Sequence, residues 1–171
     1  MRKSTVRHKP PIQDDYIRSI IFGLQDSLVS TTGVVIGLSA TMPEKKLVLI
    51  ASVITVTVEA ISMAAGQYVS EKTLHDRSPK LHKDSLLIGS IAMLLAYTLA
   101  GFIPIIPIVI LSYPMAPIVA ACFTLVAFIV IGYVKSRFTK TSALRSSLEL
   151  LIIGGVATAI GTIVGLLMQN L

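Results

Sequence analysis

Apolar residues dominate five long stretches of this 171-residue chain, and short polar or charged segments separate them. At a rise of about 1.5 Å per residue, each stretch is long enough to cross about 30 Å of hydrocarbon. None of them alternates polar and apolar residues with a period of two, so helices are favoured over a β-barrel. The pattern predicts an all-α integral membrane protein with five transmembrane helices, at about 17–39, 47–70, 86–111, 115–134 and 148–167.

The ends of the first and third stretches carry further signals. Residues 1–15 are polar and basic and include two adjacent prolines, so a disordered N-terminal segment is expected before a single transmembrane domain at 16–171. The first apolar stretch is longer than the hydrophobic region of a signal peptide, and we interpret it as a retained span. Pro104 and Pro107 should kink or break the third helix near its outer end.

The basic residues predict how the chain is oriented. Of 15 Lys and Arg residues, 13 lie in the N-terminal segment, its junction with the first helix, and the segments after helices 2 and 4. Only Lys45 and Lys46 lie on the other side. The positive-inside rule therefore places the N-terminus in the cytoplasm and the C-terminus outside. This distribution explains the net charge of +6 without a nucleic-acid partner, and the single cysteine, Cys122, excludes an intramolecular disulfide framework.

Two acidic residues, Asp26 and Glu59, lie inside the predicted spans. An acidic side chain near the bilayer centre costs about 2.5–3.5 kcal/mol on insertion scales. Counting residues puts Asp26 about 3 Å to the cytoplasmic side of the middle of helix 1, Glu59 at the middle of helix 2, and Met63 about 6 Å towards the cytoplasm. Spacing of three or four residues adds polar neighbours on the same helix faces, the candidates being Ser30, Thr55, Ser62 and Gln67.

This combination of side chains predicts a metal path. Carboxylate and hydroxyl oxygens favour divalent cations, and a thioether shifts the preference towards softer transition metals, so Asp26, Glu59 and Met63 suit Fe²⁺ or Mn²⁺. Buried carboxylates are expected to be protonated when no metal ion is bound, and metal entry would then release protons. No permanently bound cofactor is expected, because the metal is cargo and H⁺ is the coupled ion.

Each of these residues also has a simpler explanation. A single buried Asp26 can be a hydrogen bond between packed helices, and Met63 alone can be a core residue. The cytoplasmic segment with Glu71, His75, Asp76, His82 and Asp84 can collect metal ions or be a solvated loop. The Gly161-x-x-x-Gly165 pair marks a helix contact, within one subunit or between two.

Two stretches carry a family resemblance, Arg18–Gly33 in the first span and Glu59–Glu71 in the second, with weaker support at Gly101–Pro104 and Ala143–Arg145. Together they resemble the vacuolar iron transporter family. The resemblance implies a dimeric, proton-coupled exporter of Fe²⁺, and often Mn²⁺, from the cytosol. It matches Asp26 to the family's pore aspartate and Met63 to its pore methionine.

The chain departs from the family pattern at several positions. The usual Asn-Asp-Gly reads Gln25-Asp26-Ser27, and Gln67 stands where a glutamate is common. The pore glutamate of some members falls on Thr55, and Glu59, one turn before Met63, is the candidate substitute. The long cytoplasmic metal-collecting domain of larger members is absent.

The leading hypothesis is a homodimeric metal/proton antiporter, with helices 1 and 2 lining a two-fold interface. The compact length and short loops favour a prokaryotic plasma membrane. The alternative is a non-transporting scaffold whose polar residues only pack helices. An enzyme is not expected, because the sequence holds no paired nucleophile and base, phosphate loop or metal-hydrolase motif.

Overall fold

The computed structural model describes residues 12–42, 44–77 and 86–169, and within them it contains five helices and no strands. All five helices are long and apolar enough to cross a membrane, which confirms the predicted all-α integral membrane fold. They are α1 (Ile12–Thr41), α2 (Lys45–Arg77), α3 (Leu86–Ile110), α4 (Met115–Thr139) and α5 (Ala143–Gln169).

The helices extend beyond the predicted spans mainly at their polar ends. Helix α1 begins at Ile12, inside the segment that was expected to be disordered, and residues 1–11 of that segment lie outside the described part. Helix α2 continues to Arg77, and α5 begins five residues before the predicted start. Hydropathy marks where a helix leaves hydrocarbon, whereas the backbone hydrogen bonds continue into water.

Helix α1 lies inside an arc made by the other four helices. It contacts α2, α3, α4 and α5, and each helix of the arc contacts the next one along the chain. Within the described residues, α2 and α5 make no contact with each other, so the arc is open between them. The buried apolar residues form two clusters beside α1, one around Val35, Val48 and Ile108 and the other around Leu28, Phe128 and Leu150.

Glycines bring α1 and α5 into backbone contact. A Cβ atom added at Gly37 would lie 3.0 Å from the carbonyl oxygen of Gly161, and one added at Gly161 would lie 3.0 Å from that of Gly33. A Cβ at Gly165 would lie 3.1 Å from the oxygen of Gly37. Gly33 and Gly37 of α1 therefore pack directly against Gly161 and Gly165 of α5, as small residues allow helices to do in membranes. The predicted contact of the Gly161 motif is formed within one subunit.

Helix α3 is not broken by its two prolines. Both Pro104 and Pro107 lie inside the helix and are buried, and the amide of Leu111 still donates to the carbonyl oxygen of Pro107 at 2.9 Å. Each proline removes one backbone donor and leaves the rest of the hydrogen-bond series intact. The predicted break is therefore wrong, and the predicted kink at these prolines stays a prediction.

Candidate functional site: a polar cavity in the middle of the bundle

A cavity of about 210 Å³ lies where α1, α2 and α3 meet, near the middle of their lengths. Its lining is polar and includes both intramembrane acids and a thioether. The lining residues are Asp26, Ser30, Glu59, Ser62, Met63 and Tyr97. The three predicted metal ligands thus share one cavity, together with two of the four predicted secondary residues.

Helical spacing explains why these side chains converge. Asp26 and Ser30 are one turn apart on α1, and Glu59 and Met63 are one turn apart on α2, so each pair shares a helix face. Helix α3 approaches closely at Gly101, one turn beyond Tyr97. A Cβ there would lie 2.6 Å from Val56 and 2.8 Å from the hydroxyl of Ser27, so glycine is what allows the three helices to meet.

The carboxylate of Glu59 is held by two hydroxyl groups from different helices. Ser30 on α1 donates a hydrogen bond to Oε2 of Glu59 at 2.8 Å. Tyr97 on α3 donates a hydrogen bond to the same oxygen. The two hydroxyl oxygens are themselves 2.8 Å apart. Within the part of the chain that the structure describes, Oε1 of Glu59 accepts no hydrogen bond.

Asp26 is the second acid of the cavity and has fewer partners. Its side chain is half-buried and makes no hydrogen bond or ion pair with the described residues. It does interact electrostatically with Glu59 across the cavity. Two carboxylates that face one another with few donors around them have oxygen atoms free for a cation.

Thr55 and Gln67 do not line the cavity, although they share the α2 face with Glu59 and Met63. Gln67 lies one turn nearer the predicted cytoplasmic end, where its amide donates to Oε1 of Glu71 at 3.2 Å. Glu71 also forms an ion pair of 3.7 Å with Arg18. The cavity therefore covers only part of the polar face of α2. Thr55 lies beyond one end of the cavity and Gln67 beyond the other.

Tyr97 is the one lining residue that the sequence analysis missed. It lies in the middle of the third apolar stretch, and its side chain is 0% exposed. Tyrosine in membrane proteins is concentrated at the two interfaces, where its hydroxyl reaches water. A tyrosine at the centre of a span needs a polar partner there, and this was the signal that could have identified it.

Other parts of the structure offer weaker sites. A larger groove of about 700 Å³ between the C-terminal halves of α1 and α5 has no ionisable side chain in its lining. Among the described residues, no three His, Cys, Asp or Glu side chains cluster at metal-binding distance. At the C-terminal end of α2, His75 and Asp76 form an exposed pair at 3.9 Å, and His82 and Asp84 lie outside the described residues.

The fold and the cavity define an integral, multi-pass membrane protein with a polar site inside the bilayer. A profile of the VIT family matches residues 17–86 and 78–166, which is most of the sequence, so the chain belongs to the VIT family.

Curated relatives agree with this assignment. The chain is 25% identical to vacuolar iron transporter 1 of Arabidopsis thaliana, in an alignment covering 85% of this chain and 83% of the relative. It is 26% identical to vacuolar iron transporter homolog 2 of the same plant, with coverages of 86% and 82%. These relatives support metal transport, and membership in a family of transporters confirms that the chain is not an enzyme.

Proposed function

We propose that this protein transports divalent transition metals, Fe²⁺ or Mn²⁺, out of the cytoplasm in exchange for protons. The observation that carries the proposal is the cavity itself, in which Asp26, Glu59 and Met63 face a common space inside the membrane. Family membership supports a metal cargo, and the names of the relatives specify iron.

The donor set of the cavity suits exchangeable binding. Two carboxylates supply hard oxygen ligands, and the thioether of Met63 supplies a softer sulfur ligand, a mixture that favours Fe²⁺ and Mn²⁺ over Mg²⁺ and Ca²⁺. The hydroxyl groups of Ser30 and Ser62 add weaker oxygen donors. A transported ion must also leave, so loose coordination by few charged groups suits transport better than a closed cage does.

Proton exchange follows from the same two acids. Asp26 and Glu59 interact with each other inside the bilayer, where two uncompensated negative charges are costly. A bound dication compensates them, and in its absence protons do so. Entry of the metal then releases protons, which is the chemical basis of antiport.

A second copy of the chain is expected to cover the cavity. Ser62 is exposed and Glu59 is only half-buried, although both lie within a membrane span. Polar and ionisable groups within spans face protein or a water-filled cavity and not lipid. A homodimer with α1 and α2 at its two-fold interface would enclose these groups, and the contact-free gap between α2 and α5 leaves this side accessible.

The orientation and the host membrane complete the proposal. The excess of basic residues at the N-terminus and at the ends of α2 and α4 supports a cytoplasmic N-terminus and an external C-terminus, so that transport runs from the cytoplasm outwards. A prokaryotic plasma membrane remains our prediction from the short segments between the helices, whereas the two relatives described above are plant proteins named as vacuolar.

A flux assay in reconstituted vesicles tests this proposal. Initial rates of Fe²⁺, Mn²⁺, Mg²⁺ and Ca²⁺ movement are measured with and without an imposed pH gradient. We expect Fe²⁺ or Mn²⁺ flux that depends on the gradient and is lost in Asp26→Ala and Met63→Ala. Flux that persists unchanged in both variants would contradict the proposal.

A further inference from the structure

Tyr97 links the third helix to both halves of the cavity. Its backbone carbonyl oxygen accepts a hydrogen bond of 2.6 Å from the hydroxyl of Ser27 on α1. Its side-chain hydroxyl reaches Ser30 on α1 and Glu59 on α2. The residue is therefore held at both ends, and its ring is fully buried between the helices. Because its backbone carbonyl and its hydroxyl are both held by hydrogen bonds, the Tyr97 side chain has little freedom to rotate away from Glu59.

The two carboxylate oxygens of Glu59 differ in how many hydrogen bonds they accept. Both hydroxyl donors, from Tyr97 and Ser30, reach Oε2, and within the described residues Oε1 has no hydrogen-bond partner. The side chain also lines the cavity beside Asp26 and Met63. An acceptor fixed by two donors from separate helices keeps its orientation, so Oε1 is the oxygen left for a cation.

We propose that Tyr97 is a positioning residue that, with Ser30, fixes the Glu59 carboxylate so that its Oε1 atom is available to a divalent metal ion in the cavity. This inference rests on the proposed function. Tyr97 acts through Glu59 in the way that outer hydrogen-bond partners of metal ligands orient those ligands. The Tyr97 hydroxyl donates to Oε2 of Glu59, and it is assigned this positioning role and no role as a metal ligand.

The same chain contains a matched contact without an acid. Near the outer ends of the helices, the hydroxyl of Tyr113 lies 2.8 Å from the hydroxyl of Ser39, the same distance that separates Tyr97 from Ser30. Neither residue lines the cavity. Tyr113→Phe therefore removes a tyrosine hydroxyl at the same distance from a serine hydroxyl and leaves Glu59 untouched.

The experiment measures the initial rate of Fe²⁺ uptake, under anaerobic reducing conditions, against Fe²⁺ concentration in proteoliposomes. For Tyr97→Phe we expect the half-saturating concentration to rise about tenfold, equivalent to about 1.4 kcal/mol, with the maximal rate changed by less than about threefold. For Tyr113→Phe we expect both parameters to stay within about twofold of wild type.

A double-mutant cycle separates positioning from general stabilisation. If Tyr97 acts through Glu59, then Tyr97→Phe should have less than about twofold effect on half-saturation in the Glu59→Gln background, because the oriented carboxylate is gone. A tenfold effect that persists there, or an unchanged half-saturating concentration for Tyr97→Phe alone, would overturn the inference. If Tyr97→Phe does not fold, Ser30→Ala takes its place in the double-mutant cycle with Glu59→Gln, because Ser30 is the other hydroxyl donor to Oε2 of Glu59.

The outcomes also distinguish this inference from the proposed function. Wild-type protein that moves no Fe²⁺ under any gradient contradicts the proposed function, and the inference with it. Wild-type flux that is lost in Asp26→Ala, combined with unchanged kinetics in Tyr97→Phe, contradicts only the role of Tyr97.

Discussion

Helix α1 makes two kinds of polar contact with its neighbours. They differ in whether polar atoms are left without a hydrogen-bond partner. On one face, the hydroxyl of Thr32 lies 3.0 Å from that of Thr124 on α4, and Thr124 also donates to the carbonyl oxygen of Ala120. Both threonines are buried. On the other face, Ser30 contacts an ionisable acid beside a cavity. We call these the packed face and the cavity face of α1.

The contrast separates helix packing from binding. A neutral hydroxyl pair satisfies itself and fills its space, as interhelical hydrogen bonds in membrane proteins do. The cavity face instead keeps Asp26 without a hydrogen-bond partner among the described residues and keeps one oxygen of Glu59 free. A scaffold needs only the first kind of contact. Ionisable groups without full hydrogen bonding cost free energy inside a membrane, and a transport function would explain why the cavity face keeps them.

The largest expected effect is on the cavity face. Asp26→Asn removes a negative charge but preserves the shape of the side chain, so we expect the ratio of maximal rate to half-saturating concentration for Fe²⁺ to fall at least 30-fold, about 2 kcal/mol. Stability in detergent should be unchanged or higher, because Asp26 makes no hydrogen bond or ion pair with the described residues that the substitution would remove. Vesicle flux and unfolding in an SDS titration measure the two quantities. A variant with wild-type flux and lower stability would favour the scaffold hypothesis.

The second effect concerns the glycine contact where α1 meets α5. Gly161→Leu forces a side chain against the carbonyl of Gly33, so we expect the free energy of unfolding to fall by about 2 kcal/mol or more. Gly155→Leu on the same helix is the matched control, because a Cβ there meets nothing within 4 Å and should change stability by less than about 0.5 kcal/mol. Equal stabilities for the two variants would contradict the interlocked glycine contact.

The smallest effect is at the Thr32–Thr124 pair. Thr32→Val keeps the shape of the side chain and removes one interhelical hydrogen bond, so we expect a loss of about 0.6–1 kcal/mol in unfolding free energy. Fe²⁺ flux per folded protein should remain within about twofold of wild type, since Thr32 lies on the packed face. A flux defect as large as that of Asp26→Asn would show that the two faces are not functionally distinct.

Local patterns in the sequence predicted much of this arrangement. Five apolar runs predicted the five helices, since span length is set by the thickness of the bilayer. Counting depth along two antiparallel helices predicted that Asp26, Glu59 and Met63 would meet, and they share a cavity. The Gly161-x-x-x-Gly165 pair was identified as a helix contact, but its pairing with Gly33 and Gly37 of α1 depends on the packing of the whole bundle.

The remaining features depend on how the helices pack. Tyr97 belongs to a third helix, and nothing in its own apolar stretch specifies which neighbour its hydroxyl meets. Thr55 and Gln67 were predicted to line the path because they share a helical stripe, but a stripe extends along the whole helix and the cavity ends within two turns. Pro104 and Pro107 do not end α3, because a helix surrounded by others tolerates the loss of single backbone donors.

The central claim is that the cavity between α1, α2 and α3 binds a transition-metal ion. Crystals soaked with MnCl₂ and measured at the manganese absorption edge locate such an ion directly by anomalous scattering. We expect a peak inside the cavity, within coordination distance of Asp26, Glu59 and Met63, that is absent in crystals of Asp26→Asn. Manganese peaks confined to other parts of the protein, with none in the cavity, would contradict the claim.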